Sequence, residues 1–200
     1  MSTILATTGV DQAAPFLDMV FQQEPNTPNF ITVLLPRLGD PAGTPTGEFS
    51  IGEVAQGYEK ITNMPKLPVQ ILTDNPGDQH WLGLVDGILV NNRRIQTESS
   101  VADLPNGQMV VMYDTGFTFP QVPESVSTAM YGSLHGAQFD SEAQLWVVPC
   151  SQELNITFVI GGMSYPIHPM DAIVELAGDN GAPLCVGAVS GNIYLTLLLT

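Results

Sequence analysis

Short apolar runs, each cut off by Gly, Pro, Asn or Asp, recur along the whole 200-residue chain. That rhythm predicts an all-β protein, because a strand needs few residues and each strand is followed by a turn. Two stretches depart from it. Phe16, Leu17, Val20 and Phe21 share one face at helical spacing, and Pro15 sits where a first helical turn needs no N–H, so residues 14–23 predict a short helix. Val126, Met130 and Leu134 recur at intervals of four after Pro123, which predicts a second helix reaching Leu134 and stopped by Gly136. Strands are predicted at residues 30–35, 47–52, 109–113, 145–148 and 156–160. Residues 67–72 read as a further strand, with Pro68 marking an edge or a strand start. Residues 39–43 form a turn cluster, and Gly161-Gly162 turns the chain into residues 164–167. Residues 80–92 predict two strands joined by a turn at Asp86-Gly87, the second ending at Asn91-Asn92. There is no internal repeat and no low-complexity linker, so residues 1–200 read as a single domain.

Composition narrows this picture. A hydrophobic content of 44% excludes global disorder. Five basic residues stand against twenty acidic ones, a net charge of −15. Nucleic acid is therefore not an expected partner, since phosphate binding needs clustered Lys and Arg. Arg93-Arg94 is the one basic pair and reads as a solvated turn. Strong acidity favours solubility near neutral pH and also suits a protein working in acid, where carboxylates are protonated and self-repulsion falls. No segment is long enough to span a membrane, and the apolar tail at residues 193–200 is far too short. That tail is uncharged and rich in strand formers, so it is expected to pair with a sheet rather than remain a free edge. The first twenty residues do not read as a signal peptide. Cys150 and Cys185 are the only cysteines; they are two free thiols in a reducing compartment or one bridge in an oxidising one, and their spacing leaves both open. Asn155-Ile156-Thr157 is an N-glycosylation sequon, informative if the chain is secreted.

Most candidate chemistry dissolves on inspection. His80, His135 and His168 lack ligand-like spacing, and two cysteines are too few for a structural zinc site, so neither metal nor cofactor is expected. Ser164 and Ser190 lack a nucleophile-elbow pattern. Gly161-Gly162 has no Walker lysine behind it and reads as a hairpin turn. Asp140 and Asp179 read as solvated turns, and Trp81 and Trp146 as β-core residues. What remains is Asp114-Thr115-Gly116, placed at the end of the apolar strand 109–113. An aspartate at a strand end on a tight turn can present its carboxylate to a cleft. Thr115 can tie the turn with its hydroxyl, and Gly116 permits close approach of a ligand or backbone. Two such carboxylates side by side share one proton, and can then act as base towards water and acid towards a leaving group. The tripeptide alone is equally a common Asx-turn.

Its context decides between the two. Val110-Val111-Met112-Tyr113 precedes the motif and Phe117-Thr118-Phe119 follows it, with Pro123 and a helix behind. Further on come Trp146-Val147-Val148-Pro149-Cys150, Phe158-Val159-Ile160-Gly161-Gly162 and Tyr165-Pro166-Ile167. Upstream stand Pro15-Phe16-Leu17-Asp18, Gly47-Glu48-Phe49-Ser50-Ile51-Gly52 and Leu84-Val85-Asp86-Gly87-Ile88. Together these resemble the pepsin family of aspartic proteases, its fungal members in particular, over residues 13–187. The resemblance is to the C-terminal lobe alone.

That resemblance implies a single lobe of the pepsin-like β-barrel fold with one or two short helices. It implies Asp114 as one half of a catalytic dyad, with Thr115 and Gly116 shaping its loop, and a disulfide between Cys150 and Cys185. The implied activity is endopeptidase cleavage between bulky apolar residues at acid pH, on peptide or protein substrates, without metal or cofactor. Three departures bear on it. The lobe carrying the first Asp-Thr-Gly and the flap is missing, Phe117 replaces a small hydroxyl residue found in many members, and the chain ends differently from residue 188 onward. A second aspartate is then expected from a missing N-terminal lobe or from a homodimer partner, with no activity in the monomer. The competing expectation is a catalytically silent β-domain that binds peptides or apolar ligands, or a gene fragment. Family habit points to secretion or the vacuole, in accord with the sequon and the cysteine pair and against the lack of a signal peptide.

Overall fold

The computed structural model describes residues 16–35, 47–70, 81–97, 99, 104, 107–116, 119–178, 181–191 and 197–199. The chain divides into two compact units, residues 1–66 and 67–200.

In the first unit, helix α1 (Phe16–Gln23) precedes strands β1 (Ile31–Leu34) and β2 (Glu48–Ile51), which pair antiparallel with Ile31 opposite Ile51 and Val33 opposite Phe49. Strand alternation puts Ile31, Val33, Phe49 and Ile51 on one face, and Thr32 and Ser50 on the other. The two hydroxyls are hydrogen-bonded to each other at 2.5 Å, and both lie within hydrogen-bond reach of the Glu53 carbonyl, which accepts from the one whose proton remains. Gly52 turns the chain after β2 at φ 72°; a Cβ there would lie 2.7 Å from Thr27 Cγ2, so glycine is required for both conformation and space. A 3-10 turn over Glu59–Asn63 follows. The predicted first helix is present from Phe16, and the predicted turn at residues 39–43 lies outside the described residues.

The second unit is built from three sheets. Its strands in chain order are β3 (Leu82–Val85), β4 (Gly87–Val90), β5 (Arg93–Ile95), β6 (Met109–Tyr113), β7 (Gln121–Val122), β8 (Gln138–Asp140), β9 (Leu145–Val147), β10 (Ile156–Ile160), β11 (Met163–Pro166), β12 (Ile173–Ala177), β13 (Pro183–Gly187), β14 (Ser190–Gly191) and β15 (Leu197–Leu199). Helix α2 (Glu124–Tyr131) lies between β7 and β8, and α3 (Pro169–Ala172) between β11 and β12. The sheet orders are β14-β7-β15-β6-β3, β11-β10-β4-β5 and β12-β13-β9-β8. Strands dominate and the described helices are short, as the pattern of apolar runs and turns predicts for an all-β protein.

One core joins the three sheets and α2. Val85, Met109 and Val111 come from the first sheet, Ile88, Ile156 and Phe158 from the second, Cys185 from the third, and Val126, Met130 and Tyr131 from α2. β10 shows the alternation that produces it, with Ile156, Phe158 and Ile160 buried and Thr157 and Val159 half-buried.

Four sequence expectations change here. Asp86-Gly87 is not a hairpin turn. β3 pairs with β6 while β4 pairs with β10, so the chain runs straight from one sheet into the next across Asp86. The hairpin turn comes at Asn91 and Asn92, both left-handed at φ 49° and 62°, the geometry a two-residue hairpin needs. It returns the chain as β5, so Arg93 and Arg94 sit on a strand, and the Arg94 guanidinium donates to the Asp86 carbonyl. Residues 67–70 form no strand, and Gln70 N–H donates to the Leu82 carbonyl of β3 at 2.9 Å; residues 71–80 lie outside the described residues. Helix α2 ends at Tyr131; Gly132 caps it, still right-handed and donating to the Thr128 carbonyl at 2.8 Å, and beyond it the chain continues in single turns closed by Leu134 N–H to the Tyr131 carbonyl and Ala137 N–H to the Leu134 carbonyl. Gly161 and Gly162, at φ 60° and 76°, do form the predicted hairpin turn between β10 and β11.

Candidate active site

β6 lies between β15 and β3 in its sheet, antiparallel to β3 and parallel to β15. Met109, Val110 and Val111 are all buried, which explains the unbroken apolar run: a strand covered on both faces has no polar side to alternate with. The strand ends where Tyr113 N–H donates to the Trp81 carbonyl at 2.9 Å. Asp114 follows, half-buried, with Thr115 and Gly116 exposed beyond it.

The turn is closed by the aspartate itself. Gly116 N–H donates to Asp114 Oδ1 at 2.8 Å, an Asx-type turn that fixes the carboxylate relative to the strand end. A Cβ on residue 116 would sit 3.1 Å from that same oxygen, so Gly116 is the residue that leaves room for the bond. The turn bond therefore belongs to the Asp114 carboxylate and not to the Thr115 hydroxyl expected to tie it. Phe117 lies outside the described residues.

A family model for eukaryotic aspartyl proteases matches residues 5–198. The chain belongs to that family. Penicillopepsin-2 from Penicillium janthinellum is 33% identical to it over 87 residues. The match takes in 43% of this chain and 22% of that relative's length, so the aligned part is a minor share of the longer protein.

In this chain of the aspartyl protease family, aromatic residues gather at the end of β6: Tyr113 is its last residue, Trp81 accepts a backbone bond from it, and Tyr165 is near enough to act on its hydroxyl. Tyr113 lies over Gly83, where a Cβ would be 3.1 Å from the ring. Burial, and then the neighbouring Tyr165, raise the Tyr113 pKa. Trp81 is 39% exposed, which corrects its reading as a core residue. Gly83 pairs with Val111 on β6, two residues before Tyr113, so the tyrosine ring reaches diagonally across to the glycine, a contact set by the register of β3 and β6 and not visible in the sequence. Trp146, by contrast, is half-buried against Phe139 with ring centroids 5.4 Å apart.

Cys150 and Cys185 are bonded, their Cα atoms 5.2 Å apart. The bridge links the turn after β9 to β13, where Val148 N–H already donates to the Cys185 carbonyl. The sequon residue Asn155 is exposed at the start of β10, away from the Asp114 turn in sequence and in sheet.

The remaining titratable candidates fall elsewhere. Asp140 accepts from Ala143 N–H and Glu142 N–H, which lower its pKa and make it a turn cap, as its sequence context indicates. His168 Nδ1 caps α3 by accepting from Met170 N–H, and His135 is exposed. His80 and Asp179 lie outside the described residues. Among the described residues no group of three or more His, Cys, Asp or Glu side chains is placed to hold a metal ion. No described helix is long and apolar enough to cross a membrane.

Proposed function

We propose that this chain supplies one half of an acid endopeptidase site, with Asp114 as one carboxylate of a pair whose second member comes from another lobe or another chain. The observation behind this is the Asp114 turn: a half-buried carboxylate at the end of a buried strand, held by Gly116 N–H at 2.8 Å, with exposed residues beyond it. An aspartate so fixed is suited to one task that a mobile surface carboxylate is not. It can meet a second carboxylate at about 3 Å, where like charges cannot both ionise and one proton is shared. The ionised member takes a proton from water as it attacks the scissile carbonyl, and the protonated member delivers one to the departing amine. Peptides with bulky apolar residues at the cleavage point are the substrates this reading carries over from the family.

A second reading has its own observation. Asp-Thr-Gly occurs once in these 200 residues. The chain would then be a silent β-domain whose exposed Asp114 turn and neighbouring aromatics bind peptides or apolar ligands without cleaving them.

A peptide-cleavage assay at acid pH, run over a wide range of protein concentration with Asp114→Asn as control, tests both. The expected result is no activity at low concentration. Activity that rises with concentration and vanishes in the variant identifies a second copy as the donor of the other aspartate. Activity independent of concentration and lost in the variant shows a competent monomer and overturns the half-site proposal. Inactivity throughout, together with peptide binding that Asp114→Asn leaves intact, favours the silent domain.

A further inference from the structure

The Asn155-Ile156-Thr157 sequon plays no part in the Asp114 site, and it is the only Asn-X-Ser/Thr triplet in the sequence. We infer that Asn155 is an N-glycan attachment site, the Asn155 side chain taking an oligosaccharide at the open end of the β11-β10-β4-β5 sheet.

The local structure meets each requirement separately. Asn155 is exposed, whereas Leu154 and Ile156 on either side are buried, so the backbone presents this one side chain outward. Both of its contacts with the neighbouring hairpin are made by its backbone: Asn155 N–H donates to Asn91 Oδ1 at 3.1 Å, and its carbonyl accepts from Asn91 N–H at 2.8 Å. The carboxamide is not used to hold the fold, so a substituent on Nδ2 breaks neither bond. Ile156 at the middle position is not proline and begins β10, paired with Val90. Thr157 is on the strand face opposite the buried Ile156 and Phe158.

A second observation concerns the compartment. Cys150 and Cys185 form a disulfide, and Cys150 lies five positions before Asn155. Disulfides persist in oxidising compartments, which are also where sequons are read. The two features are independent in sequence and in chemistry, and both suit the same lumen.

The transfer balances with one co-reactant, a lipid pyrophosphate-linked oligosaccharide, and a transferase of the host. Nδ2 of Asn155 forms a bond to the anomeric carbon of the first sugar and loses one proton. The bond from that carbon to the phosphate oxygen breaks, and the lipid pyrophosphate leaves. Once attached, the glycan stands beside the Asn91-Asn92 turn and the exposed Arg93 and Arg94.

The test is expression of the full chain directed into the secretory pathway of a eukaryotic host, followed by intact mass before and after peptide-N-glycosidase. The expected result is a mass increment removed by the enzyme, with residue 155 converted to aspartate on release. Asn155→Gln and Thr157→Val should abolish the increment, and Thr157→Ser should retain it, while mapping of the Cys150–Cys185 bridge shows that each variant has folded. An unmodified Asn155 in secreted chain whose bridge is formed would overturn the assignment, as would an increment that survives Asn155→Gln. Both outcomes are independent of peptide cleavage and of Asp114.

Discussion

Residues 1–66 and residues 67–200 carry the same kind of sequence and treat it differently. Both contain alternating apolar strands and an amphipathic helix. In the second unit three sheets and α2 share a core, and Phe158 is 2% exposed. In the first unit the one buried apolar residue among those described is Ala55, and no residue of α1 is buried. Val33 and Phe49, facing each other across β1 and β2, stay 42% and 49% exposed. The difference is one of layers. A sheet face is buried only if another sheet or helix covers it, and a two-stranded ribbon is marginal by itself. Period-two alternation therefore reports which face of a strand is apolar and not whether that face is covered.

The sharpest way to break this comparison is to truncate one phenylalanine in each unit. Phe158→Ala opens a cavity among Ile88, Ile156 and their neighbours and should cost about 3–5 kcal/mol. Phe49→Ala removes a half-exposed ring and should stay within about 0.5 kcal/mol. Urea titration followed by circular dichroism measures both; equal losses would mean that the two units are held together in the same way.

The disulfide separates the units next. Cys150–Cys185 closes a 35-residue separation wholly within the second unit. Replacing both cysteines by alanine should lower that unit's stability by roughly 2–4 kcal/mol. Limited proteolysis should then show faster cleavage within residues 67–200 and an unchanged rate within residues 1–66. Acceleration of both would tie the first unit's folding to the bridge.

Much of this architecture is legible in the sequence because it follows from local pattern. The buried run Val110-Val111 before Asp114, the alternation of β10 and the Gly161-Gly162 hairpin each depend on residues close together. What the sequence does not show depends on partners far along the chain. Asp86-Gly87 carries a hairpin dipeptide, yet β3 and β4 join different sheets, and the pairing choice is made by β6 and β10. Asn91-Asn92 could be read as a strand end because asparagine also tolerates left-handed φ without announcing it as glycine does. At the site, Asp114 and Gly116 were visible as a motif. The neighbouring Tyr113, Trp81 and Tyr165 were not, because Tyr113 and Tyr165 stand more than fifty positions apart in sequence. The β15 pairing with β6 places residues 197–199 of the apolar tail in the sheet that carries Asp114, as its strand-forming composition suggests; residues 193–196 lie outside the described residues.

The smallest effect tests how tightly the second unit's core is specified. Tyr131 ends α2 with its hydroxyl fully enclosed, donating to the Ala172 carbonyl at 2.9 Å and accepting from Val189 N–H at 3.1 Å. Its ring covers Gly187, where a Cβ would lie 2.6 Å away, so the sheet has no side chain to replace it. Tyr131→Phe keeps the ring and leaves both backbone groups without this partner, which should cost about 1–3 kcal/mol near neutral pH. Burial raises the Tyr131 pKa above its ordinary value of 10.0. The folded state therefore keeps a proton that the unfolded state releases. Tyrosine's contribution is whole below pH ~10 and falls as pH rises above it. The wild-type chain should lose stability steeply in that alkaline range, and Tyr131→Phe should lose it more gradually, so the two curves converge. Urea midpoints measured near neutral pH and again above the ordinary tyrosine value provide the check. Curves that stay parallel would show that Tyr131 is not the group whose proton the core retains.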